Sequence, residues 1–187
     1  MAFVVVYDAC VLYPAPLRDL LVRLASTDLV RVRWTDQILD ECFENIIANR
    51  SDLRPDALAR TRNLMNRAVP DALVTGYEEL VAALELPDAD DRHVLAAAIR
   101  AGAQVIVTAN LIDFPDSALA NYGIEAQHPD EFVGHLLDLA PGLVSTVARE
   151  QAAALKNPPK TIDDVLDLLL TNGLAQSVAR LRELCSH

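Results

Sequence analysis

The chain has 187 residues, 52% of them hydrophobic, and a formal net charge of −11. That is ample for one domain with its own core plus a small appendage, and it excludes disorder as the default state. The longest apolar runs fall far short of a bilayer span, and the N-terminus has neither a basic segment nor a small-residue cleavage site, so the sequence predicts a protein that is not membrane-embedded and not secreted.

In chain order, Phe3-Val4-Val5-Val6-Tyr7 is apolar at every position and predicts a strand covered on both faces, the habit of parallel α/β sheets; it ends in Asp8. Pro14 to Ser26 carries Leu17, Leu20, Leu21 and Leu24 at helical spacing. Val30 to Trp34 is a short strand candidate. Thr35 is placed to cap a helix running to about Ala48, with Ile38, Leu39, Cys42 and Ile46 as its apolar stripe. On that helix Glu41 stands about 120° and Asp40 about 140° from the stripe's centre, so periodicity mildly prefers Glu41. Pro55 to Ala68 and Tyr77 to Leu84 predict two more helices. Pro87-Asp88-Ala89-Asp90 opens another, with Asp91 turned toward its packed side and Gly102 closing it. Val105-Ile106-Val107 is the second fully apolar strand; it runs into Thr108-Ala109-Asn110 and Asp113, with Pro115 at the first position of a further helix and a last strand at 123–126. From Pro129 only helices are expected, over 132–139, 143–155, 162–170 and 174–184. Thr161 with Asp164 forms a capping box, and Asn172-Gly173 a stop.

Parallel sheets bind ligands beyond the carboxyl ends of their strands, and this order gathers carboxylates at that rim: Asp8, Asp40-Glu41, Asp88-Ala89-Asp90-Asp91 and Asp113. Acids in a first helical turn also complement the helix dipole, which is the simpler explanation for Asp88, and Asp113 has a second reading as a cap for the helix at Pro115. Carboxylate oxygens suit Mg²⁺ or Mn²⁺, ions that activate water and stabilise both oxygens of a phosphodiester displacement. Other chemistries fit poorly. There is no G-x-S-x-G, no G-x-G-x-x-G and no G-x-x-x-x-G-K-[ST]; the two lysines, Lys156 and Lys160, lie outside the strand region, against phosphoaspartate chemistry. Cys10, Cys42 and Cys185 have no C-x-x-C spacing, and His93, His128, His135 and His187 form no zinc pattern, so a reducing cytoplasm without zinc is expected. His93, three residues after Asp90, reads as a surface or core-edge residue, with contact to phosphate as its other reading. The acidic total opposes nucleic acid, but Arg50, Arg54, Arg60, Arg62 and Arg67 face only Asp52 and Asp56 in one segment, which is either a solvated helix face or a phosphate-contacting surface.

These segments together resemble a known family. Val6-Tyr7-Asp8-Ala9-Cys10-Val11-Leu12-Tyr13-Pro14 is similar to the opening of a PIN domain, Leu86-Pro87-Asp88-Ala89-Asp90-Asp91-Arg92-His93-Val94-Leu95-Ala96-Ala97-Ala98 to its third motif, and Val107-Thr108-Ala109-Asn110-Leu111-Ile112-Asp113-Phe114-Pro115 to its fourth. With Glu41 they cover residues 1–128 in the family's order, and the nearest likeness is to the toxins of VapC type with a helical C-terminal extension, here 129–187. The resemblance implies a Rossmann-like parallel sheet flanked by helices and a Mg²⁺- or Mn²⁺-dependent endoribonuclease leaving 5′-phosphate and 3′-hydroxyl ends. It makes Asp8, Glu41, Asp91 and Asp113 the catalytic and metal-binding residues, Asp88, Asp90 and Asn110 secondary positions, and Thr108 an orienting group. Many members have Asp where Asn110 stands, so either Asp113 supplies that charge or the site has one carboxylate fewer. Cys10 replaces a Ser, Thr or Asn, leaving the hydrogen-bond donor beside Asp8 missing or weaker.

RNA is the implied substrate and a cognate antitoxin the implied partner. A catalytically degenerate PIN fold kept for protein or RNA binding is the alternative. The helical tail has three uses the sequence does not choose among: packing on the domain, forming a homodimer, or receiving the antitoxin. Aromatics are scarce, so extensive base stacking is not expected.

Overall fold

The computed structural model describes residues 2–186. In chain order the elements are β1 (Phe3–Tyr7), α1 (Ala9–Leu12), α2 (Ala15–Ala25), β2 (Val30–Arg33), α3 (Asp36–Asn49), α4 (Pro55–Ala68) and α5 (Glu78–Val81). A 3-10 turn at Ala89–Asp91 leads into α6 (Arg92–Ala101) and β3 (Val105–Val107). A second at Leu111–Asp113 precedes α7 (Asp116–Leu119), and a third at Ala120–Tyr122 precedes β4 (Glu125–Gln127). Four helices follow: α8 (Pro129–Leu139), α9 (Pro141–Ala154), α10 (Ile162–Thr171) and α11 (Ala175–Cys185).

The four strands form one parallel sheet in the order β2-β1-β3-β4, with Val5 opposite both Val32 and Val105, and Val107 opposite Gln127. The chain moves outward from β1 to β2 and then returns to the other side of β1 with β3, so the order reverses between β1 and β3. In open α/β sheets the crevice at such a reversal is the ligand site. Asp8 and Thr108 follow these two strands directly, and the ladder continues into them: Asp8 N donates to Val107 O (3.1 Å) and Thr108 N to Gln127 O (3.0 Å).

Helices cover the sheet on both faces, as the apolar strands require. Val5, Val6, Tyr7, Ile106 and Val107 are all buried, and α6 packs against β1 and β3 with a stripe of small residues, Ala96, Ala97 and Ala98, that admits close approach. The helix ends at Gly102 with φ +64, a left-handed turn that glycine adopts without steric cost. Just past the end of β2, Trp34 pairs with residues 72–74: Trp34 N donates to Ala72 O (2.9 Å) and Val74 N to Trp34 O (2.8 Å).

Helices α8–α11 are docked on this core. Phe132 on α8 meets Tyr7 edge to face with ring centroids 5.8 Å apart, and Gln151 on α9 donates to Pro16 O at the start of α2 (2.9 Å). Asp130 on α8 accepts from Gln176 N (3.0 Å) and Ser177 N (2.8 Å), satisfying two donors at the start of α11. The expected capping box is present, with Asp164 N to Thr161 Oγ1 at 3.1 Å and Thr161 N to Asp164 Oδ2 at 2.8 Å. No helix among the described residues is long and apolar enough to cross a membrane.

Candidate functional site

Asp8 caps α1 and sits at the floor of the crevice, 5% exposed. Three donors fix it: Ala9 N reaches Oδ1 at 2.7 Å, Thr108 Oγ1 reaches Oδ2 at 2.9 Å, and the Cys10 thiol reaches Oδ2 at 3.3 Å. Thr108 is held in turn by the backbone N–H of Asn110, which donates to its hydroxyl at 3.0 Å. Of the two outcomes expected at position 10, a missing or a weaker donor, the thiol is the weaker one. Burial pushes the Asp8 carboxyl above its usual range and the charge of Glu41 adds to this, against the three hydrogen bonds that oppose it. Burial and the Asp8 charge likewise push the Cys10 thiol up to about 12, so it is a neutral donor and not a thiolate nucleophile.

Around Asp8 the other acids arrive from separate elements. Asp91 closes the 3-10 turn before α6 and is half-buried; burial, then the charges of Asp8, Asp88, Asp113 and Glu41, push its carboxyl up to about 6. Glu41 on α3 is half-buried, whereas its neighbour Asp40 is exposed and bound to Arg62. Asp88 caps the turn by accepting from Asp90 N at 2.9 Å. Asp90 is exposed. Asp113 belongs to the Leu111–Asp113 turn and caps nothing: α7 starts after Pro115, which is its N-cap and not its first residue, and no side chain caps it. Asn110 is exposed at the rim and enters the site through its backbone.

Among the described residues no arginine or lysine pairs with Asp8, Glu41, Asp91 or Asp113. Four carboxylates whose charges act on Asp91, with no arginine or lysine among the described residues to neutralise the group, form with it a donor set suited to a hard divalent cation. No three Asp, Glu, His or Cys side chains of the described residues converge at ligand distance.

The residue that sequence reasoning set aside is His93. It is not at the surface: it is 3% exposed on the first turn of α6, with Nε2 2.7 Å from Glu41 Oε1. The available signal was its position three and four residues before Ala96 and Ala97, on the widened apolar face of that helix.

The five arginines divide. Arg62 bridges Asp36 (2.9 Å) and Asp40 and holds α4 against α3. Arg50 and Arg54 pair with Asp52 and Asp56 in exposed contacts, while Arg60 and Arg67 have no ion pair among the described residues. A groove of about 860 Å³ between α2, α4, α9 and α10, lined by Leu64, Met65, Val147 and Leu168, contains none of the clustered acids.

Comparison with known proteins adds to this geometry. Residues 4–111 match the family described as PIN domain, and residues 129–183 the family described as VapC50 C-terminal domain. The chain is 42% identical over 121 residues to a Mycobacterium tuberculosis (strain ATCC 25618 / H37Rv) protein named "Putative ribonuclease VapC50", covering 63% of this chain and 70% of that protein. No solved structure matches.

Proposed function

Because this chain belongs to the PIN-domain family, we propose that it is a divalent-metal-dependent endoribonuclease, the toxin of a type II toxin–antitoxin pair, with Asp8, Glu41, Asp91 and Asp113 as its metal-holding and catalytic residues. The observation that carries the reading is that the charges of Asp8, Asp113 and Glu41 all act on Asp91 beside the β1/β3 crevice, with no arginine or lysine paired to any of the four among the described residues. Mg²⁺ or Mn²⁺ supplies activated water and charge stabilisation for phosphodiester hydrolysis when bound there.

The chain's own part is preorganisation. Asp8 is locked by Ala9, Cys10 and Thr108, so its carboxylate does not have to find its orientation. Asp91, Glu41 and Asp113 are half-buried, and Asp88 and Asp90 are exposed. Arg60 and Arg67 are the readiest phosphate contacts. Arg50 and Arg54 join them, because an exposed ion pair is worth about 0–1 kcal/mol and exchanges easily for a phosphate. The same proposal divides the chain at residue 128 into a nuclease part and a helical extension, with RNA as substrate, a small antitoxin protein as partner and the cytoplasm as its place of action.

The test is Asp8→Asn against wild type on a single-stranded RNA with Mn²⁺. Cleavage should fall at least about a hundredfold, the order seen when one preorganised charge-stabilising group is removed, while the melting temperature without metal stays equal or rises. Undiminished cleavage by a nuclease-free Asp8→Asn preparation overturns the assignment. Expression should arrest growth, and co-expression of the adjoining small open reading frame should relieve it.

A second reading, a PIN fold that binds without cleaving, has Asn110 in its favour, a neutral amide where many members carry a carboxylate. It is the better account if calorimetry finds no Mn²⁺ or Mg²⁺ uptake.

A further inference from the structure

Among the described residues, His93 is a buried polar side chain beside the acids that the chemistry above leaves unused. Neither ring nitrogen has a partner in hydrogen-bond geometry among the described residues, although Nε2 is 2.7 Å from Glu41 Oε1. A buried nitrogen without a partner carries its full desolvation cost, so an imidazole held this way needs a reason to be there. Glu41 needs a restraint as well. Its side chain is 38% exposed, has three rotatable bonds and, unlike Asp8, accepts no hydrogen bond from any described residue. Catalytic contacts are often misaligned in the empty site and straighten when it is loaded.

We infer that His93 is a positioning residue: its Nε2–H, donating to Glu41 Oε1, holds that carboxylate so that Oε2 is the oxygen left for a cation. The inference rests on the metal-dependent reading above. It assigns no proton transfer to the imidazole and requires no charge on it. The distance across which it acts joins α3 to α6, so it fixes the spacing of the two walls as well as one rotamer.

The experiment measures Mn²⁺ binding by calorimetry, metal-free melting, and kcat and KM for RNA cleavage in wild type, His93→Phe, His93→Gln, Glu41→Gln and the double variant His93→Phe/Glu41→Gln. His93→Phe should weaken Mn²⁺ binding and lower kcat by roughly 10- to 100-fold with little change in KM, as loss of an outer-shell partner does. Its metal-free melting temperature should not fall, because the unmatched buried nitrogens are gone. His93→Gln, with an amide N–H at similar reach, should recover most of both losses. The double variant should bind Mn²⁺ no worse than Glu41→Gln, since the histidine acts only through that carboxylate. If Phe proves too large to fold, His93→Leu reads the same loss. Wild-type Mn²⁺ affinity in His93→Phe, or additive losses in the double variant, overturns the inference while the metal reading stands. A wild-type protein that takes up no Mn²⁺ ends the metal reading and this inference with it.

Discussion

Asp8 and Asp91 show burial and mutual charge outweighing hydrogen bonding: three donors point at Asp8, yet its proton affinity is still raised. An acid whose folded pKa exceeds its unfolded one binds its proton more tightly when folded. Asp91, raised from 3.8 to about 6, therefore contributes stability that is complete below about pH 4 and lost as pH climbs through about 6. Asp91→Asn removes that dependence. In EDTA its melting temperature should gain on wild type as pH goes from 4 to 7, and saturating Mn²⁺ should reverse the order at pH 7; a constant gap would mean the charges do not meet. Mn²⁺ affinity of the wild type should weaken below about pH 6, where protons compete for the same oxygens. Thr108 tests the floor of the crevice. Thr108→Val keeps the shape but removes the donor to Asp8 and the acceptor for Asn110 N, which should lower stability by about 1–3 kcal/mol in urea unfolding and slow cleavage with little change in KM. Unchanged stability would show that those bonds are replaced by water.

The strands that proved easiest to place, β1 and β3, are those whose burial on both faces leaves only apolar residues, and α4 runs from Pro55 to Ala68 as expected because proline fits the first helical position. β4 was expected at 123–126 and lies at Glu125–Gln127, since Glu-Ala-Gln has no pattern of its own and is a strand only through its pairing with β3. The helix expected over 77–84 shrinks to Glu78–Val81, and the one expected to open at Pro87 begins as a 3-10 turn, with α6 proper starting at Arg92. Such single turns are set by the contacts around them and leave little periodicity. Asp8 could be placed at the rim because it directly follows β1, whereas Glu41 on α3 and Asp91 before α6 have no strand end to locate them. The His93–Glu41 contact was not legible, because it joins two helices whose relative placement no local pattern encodes. Tertiary capping was hidden for the same reason. Asp130 on α8 serves the first turn of α11, so Asp130→Ala should cost about 1–2 kcal/mol and speed amide exchange over residues 175–185 first, as followed by mass spectrometry. Uniform exchange across the chain would contradict it.

A chain of net charge −11 repels a polyanion at long range, so any RNA binding has to come from local cations: the bound metal and the few arginines of the α3–α4 hairpin. Metal binding by the folded state alone stabilises it by about 2.7 kcal/mol at a hundredfold excess over Kd, which for a chain of this size is a rise of roughly 5–10 °C in melting temperature. Arg62 is excluded from the RNA count by its bridge to Asp36 and Asp40, leaving Arg50, Arg54, Arg60 and Arg67. Each phosphate contact to a single strand contributes about −0.7 to the slope of log K against log salt, so four contacts give roughly −3. Removing Arg60 and Arg67 together should weaken binding to Asp8→Asn, used to prevent cleavage, and flatten that slope by about 1.4. Arg62→Ala should instead lower the melting temperature and leave the slope in place, because its charge already serves the protein. Fluorescence anisotropy across a salt series separates the two. A slope unaffected by loss of Arg60 and Arg67 would move the RNA path off this hairpin, while the acid crevice, which depends on other residues, would keep its assignment.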